Sequence, residues 1–442
     1  MALQVDPVAS DAAVPPRVDV VIVGGGIAGS CTALSLAEKG VSVALCEKGH
    51  IAGEQSSRNW GWCRKQGRDS REIPLVIEAM RQWQGMNERV GAETGFRQTG
   101  ILYLGTDAAE LRRYEDWLGH AKPYQLDSRL LSGAEIAALV PQSSRRWAGG
   151  LHTASDGRAE PQKAAPAIAE AARRRGAAVL TGCAVRGIET SGGRVSAVIT
   201  EKGPIACGSV VLAGGAWSSL FCRNLGIRLP QLKVLASVQR TAPVEGGPET
   251  AAYGPDFALR KRLDGGYSIA PGGTSIVDIV PDSFRFFADF LPVLRLEWQG
   301  LRFRVGKRFV DEARLPQRWA LDAVSPFETV RVLDPEPATG LLDAAMKNVA
   351  RDFPMFGNVG VVERWAGLID ATPDAVPVIS GIDAVPGLFV ATGFSGHGFG
   401  IGPGAGRLMA ELVTGAAPVV DPTPFRFSRF TDGSRPRPMT GL

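Results

Sequence analysis

Gly24, Gly26 and Gly29, in "VVIVGGGIAGS", have the spacing G-x-G-x-x-G. Glycines so placed let a chain turn sharply, bring backbone against a pyrophosphate, and pack a helix closely on the preceding strand. Ile27 and Ala28 follow at the start of a helix, where unpaired N–H groups and the helix dipole favour a phosphate. Glu47 stands about twenty residues on, where a carboxylate can hold ribose hydroxyls. This is the chemistry of a dinucleotide site.

The elements that must position these residues are legible around them. Val18 to Val23 is a nearly continuous apolar run, as in a parallel strand buried on both faces. A helix is predicted from about Ala28 to Lys39, stopped by Gly40. A second strand, "VSVALCE", ends in Glu47.

Three further segments favour FAD over NAD. The first, "GEQSSRNWGWCRKQGRD" (53–69), is polar yet carries Trp60 and Trp62. Ser56, Ser57 and backbone N–H groups there can bond phosphate and ribityl oxygens. The indoles either stack on a planar ring system or staple the loop to the core. The second, "GSVVLAGGAWSSLFCRNLGI" (208–227), is a buried strand ending in glycines that allow close approach to a ligand. A helix and strand, then a meander with a Gly-Gly turn, precede it. The third, "GLFVATGFSGHGFGIGPGAGRLMAELVTG" (387–415), is a strand, a glycine-rich loop and a helix with Pro403 near its first turn and Gly415 past its end. That helix start can stabilise the negative charge of reduced flavin. His397 is the ionisable side chain of the loop, read either as a proton-handling group or as a histidine bonded to backbone.

Composition excludes several classes. A chain of 442 residues, 45% hydrophobic and 21% charged, can bury sizeable cores and is long enough for two domains. A net charge of +4 gives no reason to expect nucleic acid. Six scattered cysteines and four histidines do not make a metal cluster. The N-terminus lacks the cationic start and apolar region of a secretory signal. No apolar run approaches the ~20 residues of a membrane span. A soluble, reduced, cytoplasmic protein is expected, with residues 1–16 and 426–442 as flexible tails.

"VVIVGGGIAGSCTALSLAEKG", "SSRNWGW", "VVLAGGAWSS", "WAGLIDATPDAVPVISG" and "GLFVATGFSGHGFGIGPGAG", in this order, resemble the FAD-dependent D-amino-acid oxidase/dehydrogenase family. That family includes glycine oxidase, sarcosine oxidase and D-arginine dehydrogenase; within it the chain looks closest to opine and agropine catabolic oxidoreductases. The resemblance implies an α/β, two-domain fold: a glutathione-reductase-like Rossmann FAD domain (17–95, 150–230 and 360–418) and an antiparallel substrate domain (96–149 and 231–359). It implies non-covalent FAD, since no cysteine stands where sarcosine oxidases attach theirs. It implies that Gly24, Gly26, Gly29 and Glu47 hold pyrophosphate and ribose, and that Lys48, Ser56, Ser57, Arg58 and Asn59 lie beside the phosphates and ribityl chain. Val185 matches a backbone contact to adenine, Gly214 and Trp217 the "AGGAW" segment, and Gly396, His397, Gly398 and Gly400 the flavin-edge loop. Trp62 falls where D-arginine dehydrogenase has a substrate-side histidine, so it and Trp60 are expected to line or cover the flavin. Members oxidise a C–N bond by hydride transfer to flavin N5, and the imine is then hydrolysed.

The departures bear on substrate. Amino-acid-specific members usually carry an arginine soon after "WAGL", pairing with the substrate carboxylate. Here Ile369 and Asp370 stand there. Asp370 either faces the pocket, favouring a cationic or polyhydroxylated amine, or caps the turn before "TPD". Arg64, Arg260, Arg262 and Arg364 are other possible carboxylate partners. The stretch 283–310 mixes aromatic, aliphatic and arginine residues. It reads as a strand–helix pair with snorkelling arginines or as a basic amphipathic surface for a membrane or quinone-linked acceptor. The first is preferred because Pro292 and Gly300 interrupt a long helix. The expected partners are a small amine substrate and, as acceptor, oxygen or an electron carrier. Two other functions stay open: a hydroxy-acid enzyme oxidising C–O, and a non-catalytic flavoprotein assembly factor.

Overall fold

The computed structural model describes residues 3–434 and 437–439. Two sheets organise the chain. The first has six strands in the order Val378–Gly381, Leu388–Thr392, Ser209–Leu212, Val20–Val23, Val43–Cys46 and Ala178–Leu180. All neighbours are parallel except the edge pair Val378–Gly381 and Leu388–Thr392.

Alternation along the central strand builds a core on each face of this sheet. Val20 and Ile22 point into a core shared with the helices Ile27–Ala37, Pro161–Arg174 and Gly398–Thr414. Val21 points the other way, against Phe221 and the meander Val185–Ser191, Arg194–Thr200, Gly203–Ala206. Gly192 and Gly193 turn that meander with φ of +58° and +76°, a conformation that favours glycine. The last long helix begins at Gly398, so Pro403 sits inside it rather than near its first turn.

The second sheet has ten strands and runs from Leu301–Arg304 at one edge to Ser128–Ser132 at the other. Its longest ladder pairs Leu232–Thr241 antiparallel with Val361–Ala371, from Leu232 against Ala371 to Arg240 against Glu363. The sheet is mixed rather than purely antiparallel. Ala251–Tyr253 pairs parallel with Ile101–Gly105, and Ser275–Asp278 parallel with Leu301–Arg304.

Two expected domain boundaries shift. Gly149–Thr153 and Val361–Ala371, which open segments expected in the FAD domain, are both strands of this second sheet. The long ladder needs a partner for all of Leu232–Thr241, and "VVERWAGLIDA" supplies it before the chain returns to the first sheet.

The described parts of the expected tails are docked. Asp6 N–H donates to Gln162 O at 3.0 Å and Asp11 N–H to Val179 O at 2.8 Å, while Val5 and Val8 pack on the core. At the other end Phe427–Phe430 form a short 3-10 turn, and buried Arg429 pairs with Asp374 at 3.1 Å. Residues 1–2, 435–436 and 440–442 lie outside the described residues.

Candidate active site

A cavity of about 630 Å³ is lined by both sheets: Val23, Cys46, Leu212 and Ala391 of the first, Leu235 to Val238, Tyr253, Gly367 and Ile369 of the second. Such a cleft between two units is where ligands of this size bind.

The glycine turn fits a closely approaching ligand. Gly24 has φ of +109°, and a Cβ there would stand 2.5 Å from Ala213 O. A Cβ on Gly29 would stand 2.0 Å from Gly24 O, so this glycine packs helix on turn and does not line the cavity. Gly24, Gly26, Ile27 and Ala28 do line it. Glu47 accepts the N–H groups of Gly25 and Gly49, each at 2.7 Å, and lies on the cavity wall beside Val185. Burial raises its pKa, opposed by those two N–H groups. Held this way, a carboxylate keeps lone pairs for two ribose hydroxyls. These residues fit the adenosine and pyrophosphate of a dinucleotide.

The loop 53–69 is more structural than its sequence suggested. Ser56 Oγ accepts the Ile27 N–H at 2.8 Å on the cavity wall. Ser57 is turned inward: its hydroxyl donates to Glu54 O at 3.1 Å, and it does not line the cavity. Asn59 caps the short helix Gln55–Arg58, donating to Ser56 O at 2.9 Å and accepting the Gly61 N–H at 2.7 Å. Arg58 ties the loop to the second sheet through Ala366 O at 2.8 Å and Asp334 at 2.5 Å. Lys48 is clamped to Glu54 at 2.7 Å and to Val330 O at 2.8 Å, and lies 4.6 Å from the centre of the Trp217 ring. Trp217 in turn donates to Glu54 at 3.0 Å. Arg58, Asn59, Lys48, Trp217 and Gly214 all border the cavity, yet the two cations are spent on protein partners. A ligand there meets backbone and neutral groups first.

The indoles of Trp60 and Trp62 lie against each other, ring centres 5.2 Å apart at 72°. Tyr253 is 6.2 Å from Trp60 and 6.4 Å from Trp62, and Tyr103 is 6.4 Å from Trp62. The tyrosines come from the second sheet, so an aromatic group spans loop and sheet. Trp60, Trp62 and Tyr253 line the cavity, and the Trp62 Nε1–H has no partner among the described residues. The indoles therefore staple the loop and also face the cavity.

The glycine-rich loop adds to the wall next to Trp62. Gly396, His397, Gly398 and Gly400 all line the cavity, and a Cβ on Gly400 would stand 2.9 Å from Trp62 O. Burial is the main cause pushing His397 down to about 4, with the Arg68 charge adding to it and Glu72 opposing. Its Nδ1 is 3.3 Å from Glu72 Oε2 without the alignment of a hydrogen bond. The imidazole is neutral at ordinary pH, and it is not the backbone-bonded histidine of the simpler reading.

Asp370 borders the cavity, and one of its carboxylate oxygens is tied to the protein. Its Oδ2 accepts the Gly393 N–H at 2.7 Å and the Thr392 hydroxyl at 3.2 Å, fixing the base of the loop. Burial pushes it up to about 6 despite these bonds.

The arginines sort themselves as clearly. Arg260 is buried in an ion pair with Glu160 at 2.8 Å, Arg262 leans on Glu160 and Asp264, and Arg364 pairs with Asp343. None of the three lines the cavity, whereas Arg64 and Arg68 do. Arg64 bonds Tyr103 Oη and Gln66 O and lies over the Trp62 ring. Arg68 is 3% exposed, and its Nη1 has no partner among the described residues. Burial, then the Arg64 charge, lowers it to about 9.

Sequence reading missed Arg68, Glu72, Tyr103 and Tyr253. Arg68 stands within the loop 53–69 and Glu72 just after it, a signal that was available. The tyrosines reach the site only through long-range pairing of the second sheet. Among the described residues no cluster of histidine, cysteine and carboxylate suits a metal, and no helix is long and apolar enough to cross a membrane.

Comparison with known proteins agrees with this geometry. The family described as "FAD dependent oxidoreductase" (DAO) matches residues 19–412. The structure of L-amino acid deaminase from Proteus myxofaciens in complex with anthranilate superposes with a TM-score of 0.93 at 38% identity, over 98% of this chain and 97% of that one. Sarcosine oxidase subunit beta of Rhodobacter capsulatus is 26% identical over 94% of this chain and 89% of its own length. Mitochondrial sarcosine dehydrogenase of Mus musculus is 25% identical over 94% of this chain, which spans only 42% of that longer protein. The chain belongs to the DAO family of FAD-dependent oxidoreductases.

Proposed function

We propose that this enzyme oxidises the C–N bond of an α-amino acid whose side chain is apolar or aromatic. One observation carries the reading: the buried, unpartnered Nη1 of Arg68 lies on the wall of the same cavity as Trp62, Tyr253 and His397. A guanidinium left unpaired in a low-dielectric site is costly, and a carboxylate is the partner its fork geometry suits. Arg64, beside it, adds positive charge. The pair replaces the arginine that Ile369 does not supply. The likeness to a deaminase of L-amino acids that binds anthranilate, an aromatic carboxylate, supports the same substrate class.

Bound without a covalent bond, FAD would supply the oxidising chemistry, an acceptor for the hydride that leaves the substrate carbon. The protein's residues position that carbon. Arg68 and Arg64 hold the carboxylate, and the aromatic group of Trp60, Trp62 and Tyr253 covers the side chain and excludes water. The start of the helix Gly398–Thr414 places backbone N–H groups where negative charge develops. The neutral His397 can accept a hydrogen bond without repelling the ammonium that must shed its proton before hydride leaves. The imine product is hydrolysed by water to a 2-oxo acid and ammonia.

The test is anaerobic mixing of the FAD-loaded protein with a panel of amino acids, opines, sugar-derived amines and 2-hydroxy acids, following flavin bleaching. Bleaching by apolar and aromatic amino acids is expected. Bleaching by sugar-derived amines or hydroxy acids alone contradicts the proposal.

A further inference from the structure

Glu72 and His397 stand at the starts of two helices that pack side by side, Ile73–Gln84 and Gly398–Thr414. The packing is close: a Cβ on Gly404 would stand 2.6 Å from Leu75 O, and Trp83 Nε1–H donates to Gly400 O at 2.8 Å. A polar side chain at a helix start commonly caps its own backbone, yet the Glu72 carboxylate makes no such bond. It is fully buried, and neither of its oxygens has a hydrogen-bond partner among the described residues. Its Oε2 stands 3.3 Å from His397 Nδ1, which is buried and unpartnered as well. An unpaired buried carboxylate is costly. Glu72 does not line the cavity; His397, in front of it, does.

The neighbouring cations do not account for Glu72. Arg71 is paired with Asp69 and Asp374. Arg64 bonds Tyr103 Oη and Gln66 O. Arg68 stands four residues before Glu72, but its Nη1 and both Glu72 oxygens are left without partners, so these groups do not meet. The close approach that Glu72 makes is to the imidazole.

A neutral imidazole carries one proton, on Nδ1 or on Nε2, and the group beside one nitrogen decides which. With the proton on Nε2, the Nδ1 lone pair would face a carboxylate. With the proton on Nδ1, an N–H dipole faces that negative charge and Nε2 keeps its lone pair. Nδ1 is buried, so the 24% of the His397 side chain that stays exposed belongs to its other atoms. We infer that Glu72 is a positioning residue: it holds the proton of His397 on Nδ1 and so leaves Nε2 as the acceptor for an N–H of the substrate amine. This rests on the amine oxidation proposed above. A histidine protonated on Nε2 would instead set a donor against the donors of the ammonium.

The FAD-loaded protein is prepared with isotopically labelled histidine, and proton–nitrogen correlations distinguish the protonated ring nitrogen from the bare one. The chain has four histidines, and the signals missing from His397→Asn identify those of His397. At neutral pH wild type should show Nδ1 protonated and Nε2 bare. Glu72→Gln, whose amide can donate to a bare Nδ1, should shift the proton toward Nε2. The same variant should slow flavin reduction by an apolar amino acid roughly tenfold or more, with no weaker binding of that amino acid, because Arg68 keeps its charge. A proton on Nε2 in wild type overturns the inference, whether or not the variant folds. So does a Glu72→Gln protein in which the proton stays on Nδ1, or in which it moves while reduction keeps its rate. The spectrum needs no substrate: if no amino acid bleaches the flavin, the proposed reaction fails, and the spectrum still decides where Glu72 puts the proton.

Discussion

Asp370 Oδ2 accepts the backbone N–H of Gly393 at 2.7 Å, linking the end of the longest strand of the second sheet to the root of the flavin-edge loop. The carboxylate is fully buried and pushed up to about 6. A folded pKa above the unfolded value means that ionisation costs stability. The penalty is absent below about pH 4 and complete once the pH has risen through 6. From 3.8 to about 6 it amounts to about 3 kcal/mol at most. Asp370→Asn keeps an acceptor for Gly393 and removes the charge. Its melting temperature should therefore exceed wild type at pH 8 and match it near pH 4. Asp370→Ala, which leaves the N–H unpaired, should lose stability at both.

Whether His397 titrates during turnover follows from its surroundings. Burial and Arg68 push it down to about 4, while Glu72 pulls the other way. The imidazole is thus neutral above that value. The rate of flavin reduction should show no histidine ionisation between about pH 5 and 8. His397→Asn should slow reduction without removing an inflection from the pH profile. Loss of an inflection near neutrality would contradict the neutral assignment.

Gly29 has no room for a methyl group, since its Cβ would lie 2.0 Å from Gly24 O. Gly29→Ala must push the helix away from the turn, at about 1–3 kcal/mol of overpacking. The expected product is folded but FAD-poor, measured as a lower flavin-to-protein ratio and a weaker Kd for added FAD. Normal FAD content would show that the turn tolerates displacement.

The pair of Arg260 and Glu160 holds the indole loop from beneath, because Arg260 Nε also donates to Trp60 O at 2.6 Å. Arg260→Met leaves Glu160 buried with the weaker partner Arg262 at 3.7 Å. A loss of about 3–5 kcal/mol is expected in denaturant unfolding, as for other broken buried pairs. Replacing both partners by apolar residues should recover most of it.

The nucleotide half of the fold was legible in the sequence because its signals are local. Gly24, Gly26, Gly29 and Glu47 fall within one strand–helix–strand unit, and Gly29 answers to Gly24 O within the same turn. The substrate half is built from pairings far apart in sequence. Tyr103 meets Tyr253 because Ile101–Gly105 pairs with Ala251–Tyr253, and no spacing along the chain announces that. Lys48 and Arg58 have the residue types of phosphate ligands, yet Glu54 and Asp334 bind them in the fold. Residues 3–16 carry three prolines and no regular pattern, but the N–H groups of Asp6 and Asp11 find the carbonyls of Gln162 and Val179. Ile369 turns attention to arginines elsewhere; that Arg68 keeps an unpaired Nη1 is visible only in the packed structure.

The measurement that tests the central claim most directly compares an aromatic amino acid with the amine that lacks only its carboxylate. Both are mixed anaerobically with wild type and with Arg68→Met, and flavin reduction is followed. Wild type should prefer the amino acid, and Arg68→Met should lose about 2–3 kcal/mol of that preference, roughly 30- to 150-fold in kcat/KM, with the amine unaffected. Equal reduction by the two compounds in wild type, or an unchanged preference in Arg68→Met, would contradict the assignment of Arg68 to the substrate carboxylate.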